Sequence, residues 1–159
     1  MKKEEIAQIF QTIIPTPLGM LIAKASDEAL VSLDFLDDDS NITQNENQIL
    51  QKTKMQLEEY FKGKRKTFTI PLEPNGTTFQ KNVWNILSDI EFGKTISYKE
   101  EAILLNNPKA YRAVANANGK NPISIIIPCH RVIASDGKLG GYTGGIWRKE
   151  FLLKLEGVL

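Results

Sequence analysis

The chain changes character at one place. Pro71, Pro74, Asn75 and Gly76 crowd together near its middle, a cluster that neither a helix interior nor a central strand accommodates. Apolar residues before the cluster are spaced for strands and one helix, and those after it for helices. A chain of 159 residues can bury one good core or two small ones that lean on each other. The sequence therefore predicts two domains, 1–75 and 76–159.

The first part reads as an α/β unit. Ile9 to Ile14 is apolar-rich and β-prone, Pro17-Leu18-Gly19 supplies a turn, and Met20 to Ala25 and Leu30 to Phe35 follow across Ser26-Asp27-Glu28. That pattern predicts an antiparallel meander. Asp37 to Asn47 is polar and reads as a loop. Ile49, Thr53, Leu57, Tyr60 and Phe61 share one face of a helix ending near Lys62-Gly63. Lys64-Arg65-Lys66 reads as a solvated basic turn, and Phe68 to Leu72 as a returning strand.

The second part reads as mainly helical. Thr77 with Gln80, and Ser97 with Glu100, are spaced as capping boxes. The first opens a helix with an apolar stripe of Phe79, Val83, Trp84, Ile86, Leu87 and Ile90, closed by Phe92-Gly93. The second opens a short helix to about Leu105. Asn106-Asn107 breaks it, with Asn107 as the next cap and Pro108 at the first helical position; the new helix runs to Asn118. The pair has the form of a helix-turn-helix or of a plain helical hairpin. Ala110, Ala113, Ala115 and Ala117 make its second helix slim, with Tyr111 and Arg112 as its large side chains. A slim helix approaches another backbone closely, and a single arginine on it can act as a probe. Gly140-Gly141-Tyr142-Thr143-Gly144-Gly145 does not match a phosphate-binding loop, but such a loop can fold over a small planar group. In the last helix Trp147, Phe151 and Leu155 follow helical spacing and are expected in the core.

The only cysteine is followed at once by the only histidine, in Ile125-Ile126-Ile127-Pro128-Cys129-His130-Arg131-Val132. The apolar β-branched run predicts a strand that delivers Cys129 to a fixed place. A thiolate is the nucleophilic form of cysteine, and a nearby imidazole is a common device for making one. Adjacent residues on an extended backbone point to opposite faces, so His130 would act through a water or across a bend at Pro128. The residues alone leave several readings open: a buried structural thiol, a DNA-binding module without chemistry, a cysteine hydrolase with a Cys-His-Glu triad, or a transferase.

Bulk properties narrow the setting. One cysteine excludes an internal disulfide and suits a reducing compartment; with one histidine beside it, no sulfur–imidazole cluster for structural zinc exists. No apolar run has the length of a membrane span, and Met1-Lys2-Lys3 precedes no signal-peptide stretch. A cytosolic (cytoplasmic) protein with no membrane contact is expected. Residues 1–75 carry 9 Lys/Arg against 12 Asp/Glu, and residues 76–159 carry 11 against 7, so the C-terminal half is the one suited to a polyanion.

Taken together, Ile127-Pro128-Cys129-His130-Arg131-Val132 and Asn107-Pro108-Lys109-Ala110-Tyr111-Arg112-Ala113-Val114 resemble the O6-alkylguanine-DNA alkyltransferases, or methylated-DNA–protein-cysteine methyltransferases. The likeness extends to Thr78-Phe79-Gln80-Lys81-Asn82-Val83-Trp84, Gly93-Lys94-Thr95-Ile96-Ser97-Tyr98, Gly119-Lys120-Asn121-Pro122, Gly141-Tyr142-Thr143-Gly144-Gly145 and Lys154-Leu155-Glu156-Gly157. It is dense over 76–159 and looser over the first half.

The resemblance implies an RNase H-like N-terminal domain, an antiparallel sheet plus helix, before a mainly α, winged-helix-like domain with a helix-turn-helix. It implies DNA repair: O6-alkylguanine is flipped out of double-stranded DNA from the minor groove, and its alkyl group passes irreversibly to Cys129, once per molecule. O4-alkylthymine is a second lesion the resemblance leaves open. His130 would deprotonate Cys129 through water and Glu156 would orient the imidazole. Asn121 would brace the turn before the cysteine. Tyr98 would donate to N3 of the leaving guanine. Thr143, in the loop with Tyr142, would contact the guanine oxygen, and backbone at Cys129 and Val132 would read the base edge. Lys149 matches a lysine near the site. Arg112, beside Tyr111, would fill the gap left in the duplex. A monomer without cofactor or metal is implied. Two positions depart from the pattern. Asn106 replaces a common glycine and tolerates a left-handed backbone. Glu101 stands where an apolar residue is usual, and is expected at a frayed edge or as a residue that loosens the first helix of the pair.

Overall fold

The computed structural model describes residues 8–37 and 41–159. Of the predicted 37–47 loop, Asp38, Asp39 and Ser40 lie outside them, as does Met1-Lys2-Lys3. The chain divides between Pro74 and Asn75 into two compact units.

In the first unit β1 (Phe10–Thr16), β2 (Gly19–Ala25) and β3 (Leu30–Phe35) form an antiparallel sheet in sequence order. Ile14 pairs with Leu21 and Leu21 with Phe35. The turn between β1 and β2 needs Gly19, whose φ is 105°, a left-handed value that glycine adopts at little cost. Period-2 alternation buries Thr12, Ile14, Leu21, Ala23 and Leu33 on one face. Helix α1 (Gln48–Phe61) supplies Leu50, Thr53, Gln56, Leu57 and Tyr60 to the same core, and Asn47 caps it by accepting from Leu50 N–H.

The expected strand over Phe68–Leu72 is not formed. Leu72 makes a single bridge to Leu30. Pro71 has no N–H to extend a ladder, and Thr69 N–H instead donates to the buried Gln56 side chain at 2.9 Å.

The second unit begins with α2 (Thr78–Ser88), and both capping boxes are present: Thr77 with Gln80, and Ser97 with Glu100 at the start of α3 (Tyr98–Leu104). Helix α2 ends at Ser88, earlier than the predicted Phe92-Gly93 stop, and Gly93 (φ 77°) belongs to the following turn. A short strand, β4 (Ile96–Ser97), lies between the two helices. After α3, Asn106 adopts φ 58°, the left-handed conformation expected of it. Asn107 makes no side-chain cap. Residues Pro108–Ala110 form a 3-10 turn before α4 (Tyr111–Gly119), in which Ala110 N–H donates to the backbone carbonyl of Asn107 instead of to its side chain. Val114 and Ala117 face inward on α4, and Tyr111 and Arg112 outward.

The predicted strand before Cys129 is also absent. Residues 121–128 coil instead: Ile127 N–H donates to Ile123 O, Cys129 N–H to Ile127 O, and Ile125 takes φ 73°. A left-handed β-branched residue costs about 1–3 kcal/mol and persists only where its surroundings over-determine it; Ile123, Ile125 and Ile127 are all buried. Cys129–Arg131 form a 3-10 turn, followed by β5 (Val132–Ile133), which pairs parallel with β4.

The last helix, α5 (Ile146–Leu155), corrects a further expectation. Trp147 is 56% exposed and Phe151 36%, and the buried face carries Arg148, Lys149, Leu152 and Leu153. Two cations are buried there because backbone carbonyls receive them: Arg148 donates to Gly144 O and Lys149 to Val132 O and Gly141 O. Trp147 lies over the Arg148 guanidinium at 4.8 Å.

The indole N–H of Trp84 on α2 donates to Ala117 O on α4 at 2.9 Å, within the core. Trp84→Phe is expected to lower the stability of the protein by about 1–2 kcal/mol through loss of this buried bond, read as a lower urea midpoint; an unchanged midpoint would show that the bond does not hold α4.

Candidate active site around Cys129

Cys129 is half-buried and opens into a cavity of about 420 Å³ lined by residues of four segments. Tyr98 comes from the start of α3. Ala115, Asn118 and Gly119 come from α4. Gly141, Tyr142 and Thr143 come from the glycine-rich loop. A cavity of this size is in the range that takes a small-molecule-sized group. The slim face of α4 is what leaves room.

Behind the cysteine lies a buried polar cluster centred on Glu156, the residue that ends α5. Its carboxylate meets His130 Nε2 at 2.6 Å, accepts from Arg131 Nε at 2.8 Å and Nη2 at 3.1 Å, and accepts from Gly93 N–H at 3.1 Å. Arg131 also donates to Ile90 O at 2.6 Å. A carboxylate only accepts, so His130 Nε2 carries the hydrogen and Nδ1 keeps its lone pair. His130 Nδ1 has no hydrogen-bond partner among the described residues. Burial pushes the His130 pKa below its ordinary 6.5, opposed by Glu156; the imidazole is neutral at physiological pH and able to take a proton. Burial also pushes the Cys129 thiol up, with Asn121 and the Lys149 ammonium pulling the other way. The resting site is therefore a thiol beside a neutral base.

Asn121 ties the coil before the cysteine to itself: its amide donates to Ile127 O at 2.7 Å and its carbonyl accepts from Ile123 N–H at 3.0 Å. Lys149, fully buried, spans Val132 O at 2.6 Å and Gly141 O at 3.1 Å, with its ammonium 5.8 Å from the Tyr98 ring centre. It thus joins the segment after Cys129 to the loop. Desolvation lowers its pKa to about 8. The Tyr98 hydroxyl is held above its ordinary 10, first by burial and then by Cys129 and Glu101, so it is an O–H donor at neutral pH. Gly140 is needed beside it: φ is 73°, and a Cβ there would lie 2.8 Å from the Tyr98 hydroxyl. Thr143 Oγ1 donates to Gly119 O at 2.9 Å, pinning the loop to the end of α4.

The predicted residues therefore fall into groups. Cys129, Tyr98, Tyr142 and Thr143 line the cavity. His130 and Glu156 pair behind it, and Asn121 and Lys149 hold its walls. Val132 is buried, with its carbonyl bound to Lys149. Arg112 and Tyr111 are exposed on α4, with the Arg112 guanidinium 6.0 Å from the Tyr111 ring, a turn before the cavity residue Ala115. Sequence reasoning missed Arg131 and Asn118. Arg131 stood inside the Cys-His-Arg run, but nothing in its spacing revealed that its charge would be buried against Glu156. Glu101 is not at a frayed edge: it is fully buried and accepts from Asn118 Nδ2 at 2.7 Å. Among the described residues no group of three or more His, Cys, Asp or Glu could hold a metal ion, and no helix is long and apolar enough to cross a membrane.

The site can be set beside known proteins. Residues 78–158 match the family model of the 6-O-methylguanine DNA methyltransferase DNA binding domain, and residues 9–74 that of its ribonuclease-like domain. The chain is 46% identical over 153 residues to the methylated-DNA–protein-cysteine methyltransferase of Methanosarcina barkeri, covering 93% of this chain and 97% of the relative. It is 40% identical to the constitutive enzyme of that name from Bacillus subtilis, covering 92% and 94%. Among solved structures, the Mycobacterium tuberculosis O6-methylguanine methyltransferase superposes with a TM-score of 0.85 at 40% identity, covering 94% and 93% of the two chains. The M. tuberculosis protein in complex with DNA gives 0.83 at 43%, covering 91% and 90%. With a sheet-and-helix unit before a helical one, and Cys129 in the lining of its cavity, this chain belongs to the 6-O-methylguanine DNA methyltransferase family.

Proposed function

We propose that this protein repairs double-stranded DNA by transferring the alkyl group of O6-alkylguanine to Cys129. The observation that carries the reading is the placement of the cysteine: it opens into a cavity beside α4 while a neutral imidazole, oriented by a buried carboxylate, adjoins it in the chain. The base must leave the stack to reach a cavity of this kind, at a cost of a few kcal/mol. Arg112, exposed one turn before the cavity wall, enters from the minor groove and occupies the space the nucleotide leaves. The protein acts as a monomer.

The chemistry follows from the groups present. His130 Nδ1 accepts the Cys129 proton, through a water, and Glu156 stabilises the imidazolium through Nε2–H. The Lys149 ammonium favours the thiolate. Sulfur attacks the alkyl carbon, the C–O6 bond breaks, and its electron pair passes to the guanine. Tyr98 O–H at N3 stabilises the charge that develops on the base, and solvent returns the proton that restores guanine. Each 1.36 kcal/mol gained at this step is about tenfold in rate. The product is a thioether, which carries no leaving group for these residues to displace, so each molecule acts once. Thr143 and Tyr142 close over the base, with backbone at Cys129 and Val132 at its edge.

Incubation with duplex DNA containing O6-methylguanine is expected to add one methyl to the intact mass, and none in Cys129→Ser; product release beyond one equivalent would remove the reading in favour of a hydrolase. Tyr98→Phe should slow transfer about tenfold with DNA affinity retained; an equal loss in both would assign Tyr98 to binding. Arg112→Ala should slow transfer from duplex DNA by about ten- to a hundredfold while transfer from free O6-benzylguanine stays near wild type. Equal slowing on both substrates would deny Arg112 a part in extrusion.

A further inference from the structure

A buried polar pair lies outside the transfer machinery just described. Glu101 on α3 is fully buried, and among the described residues its side chain has one hydrogen bond, the 2.7 Å contact from Asn118 Nδ2 to Oε1. Two further atoms of this pair, Glu101 Oε2 and Asn118 Oδ1, are shut off from solvent and have no hydrogen-bond partner among the described residues. A carboxylate here would leave both as orphaned acceptors, each carrying the desolvation penalty of a buried polar group. A protonated carboxyl changes the count. Oε2–H becomes a donor, and the acceptor it lacks is supplied by the same partner. Acid and amide then form a ring of two hydrogen bonds, with every polar atom of the pair engaged.

Asn118 is also a cavity-lining residue, next to Gly119, whose carbonyl accepts from Thr143. Its side chain therefore connects the packing between α3 and α4 to the wall the substrate meets.

We propose that Glu101 is a positioning residue that acts as a neutral acid, holding the Asn118 amide in the cavity wall through a two-bond acid–amide pair. The proposal rests on the alkyl-transfer reading for its kinetic consequence, but its structural core does not. The surroundings favour the neutral form. Burial raises the Glu101 pKa from an ordinary 4.5 to about 7, and the Asn118 bond opposes this only in part. The buried residues of the helices on either side, Val83, Trp84 and Leu87 on α2 and Val114, Ala117 and Asn118 on α4, carry no charge. β4 and β5 bring Ile96, Ser97, Val132 and Ile133, also uncharged, and Lys109 of the 3-10 turn is exposed. The titratable groups that feel Glu101 are Tyr98 on its own helix and Cys129, and a negative charge at Glu101 raises both. Ionisation of Glu101 thus acts twice against transfer: it breaks one bond to the cavity wall and makes the thiolate harder to form.

The linkage sign is definite. Between pH 4.5 and about 7 the unfolded chain releases the Glu101 proton and the folded chain keeps it, so this group's contribution to stability falls as pH rises through that window and is flat beyond it. Glutamine is the non-titrating mimic: its amide donates to Asn118 Oδ1 and its carbonyl accepts from Asn118 Nδ2. Glu101→Gln should therefore gain melting temperature relative to wild type as pH is raised from 5 to about 7.5. In single-turnover transfer from O6-methylguanine DNA, wild type should lose rate relative to Glu101→Gln as pH rises from about 6 to 8, while Glu101→Leu, which leaves the Asn118 amide unpaired, should be slower than both by about tenfold at every pH. Parallel pH curves for wild type and Glu101→Gln, in both melting and transfer, would overturn the neutral-acid assignment. Equal rates for Glu101→Leu and Glu101→Gln would overturn the positioning role. Absence of any transfer by wild type would instead strike the functional reading, and the melting comparison would still decide the state of Glu101.

Discussion

The active-site half of this protein is organised by one buried carboxylate. Glu156 stands at the end of the last helix and is met by the Gly93 turn, by His130 and twice by Arg131. Two segments distant in sequence from that helix, the Gly93 turn and the His130-Arg131 turn, are therefore held to a single group. Leaving a buried charge without its partner costs about 3–5 kcal/mol, so neither of these segments can drift alone. Arg131 extends the arrangement to Ile90 O at the end of the α2 segment. The turn carrying Cys129 and His130 is fixed from behind, and the cysteine faces the cavity as a consequence.

The same burial sets the chemistry. Desolvation holds the thiol up and the imidazole down, so the ground state is uncharged at both. A protein spent in a single reaction gains from a resting thiol that does not react with every electrophile it meets. Lys149 and the loop complete the site from the other side. An ammonium bound to Val132 O and Gly141 O biases the thiol toward its reactive form and holds the glycine-rich loop near it.

Where local rules decide structure, the sequence was legible. The meander, α1 and both capping boxes follow from alternation, helical spacing and side chains that satisfy the first turn of a helix. The Cys-His pair and the family motifs named the site, and Glu156 was reached through the resemblance rather than through spacing. What escaped was set by particular side-chain and carbonyl partners that composition and periodicity do not reveal. The isoleucine run before Cys129 has the composition of a strand, yet it coils: Asn121 accepts from Ile123 N–H and donates to Ile127 O, and the Ile126 and Ile127 N–H groups turn back to Ser124 O and Ile123 O. Helical spacing placed Trp147 and Phe151 inside, but carbonyls from Gly141, Gly144 and Val132 made the opposite, cationic face the buried one. Glu101 looked like a defect on α3 until its partner on α4 was in view.

The central claim is that Glu156 fixes the His130 tautomer so that Nδ1 is the base available to Cys129. Nitrogen-15 NMR of the single histidine reads this directly. At neutral pH the resonances should report a neutral ring protonated at Nε2, with Nδ1 bare. A ring protonated at Nδ1, or an imidazolium at that pH, would contradict the account.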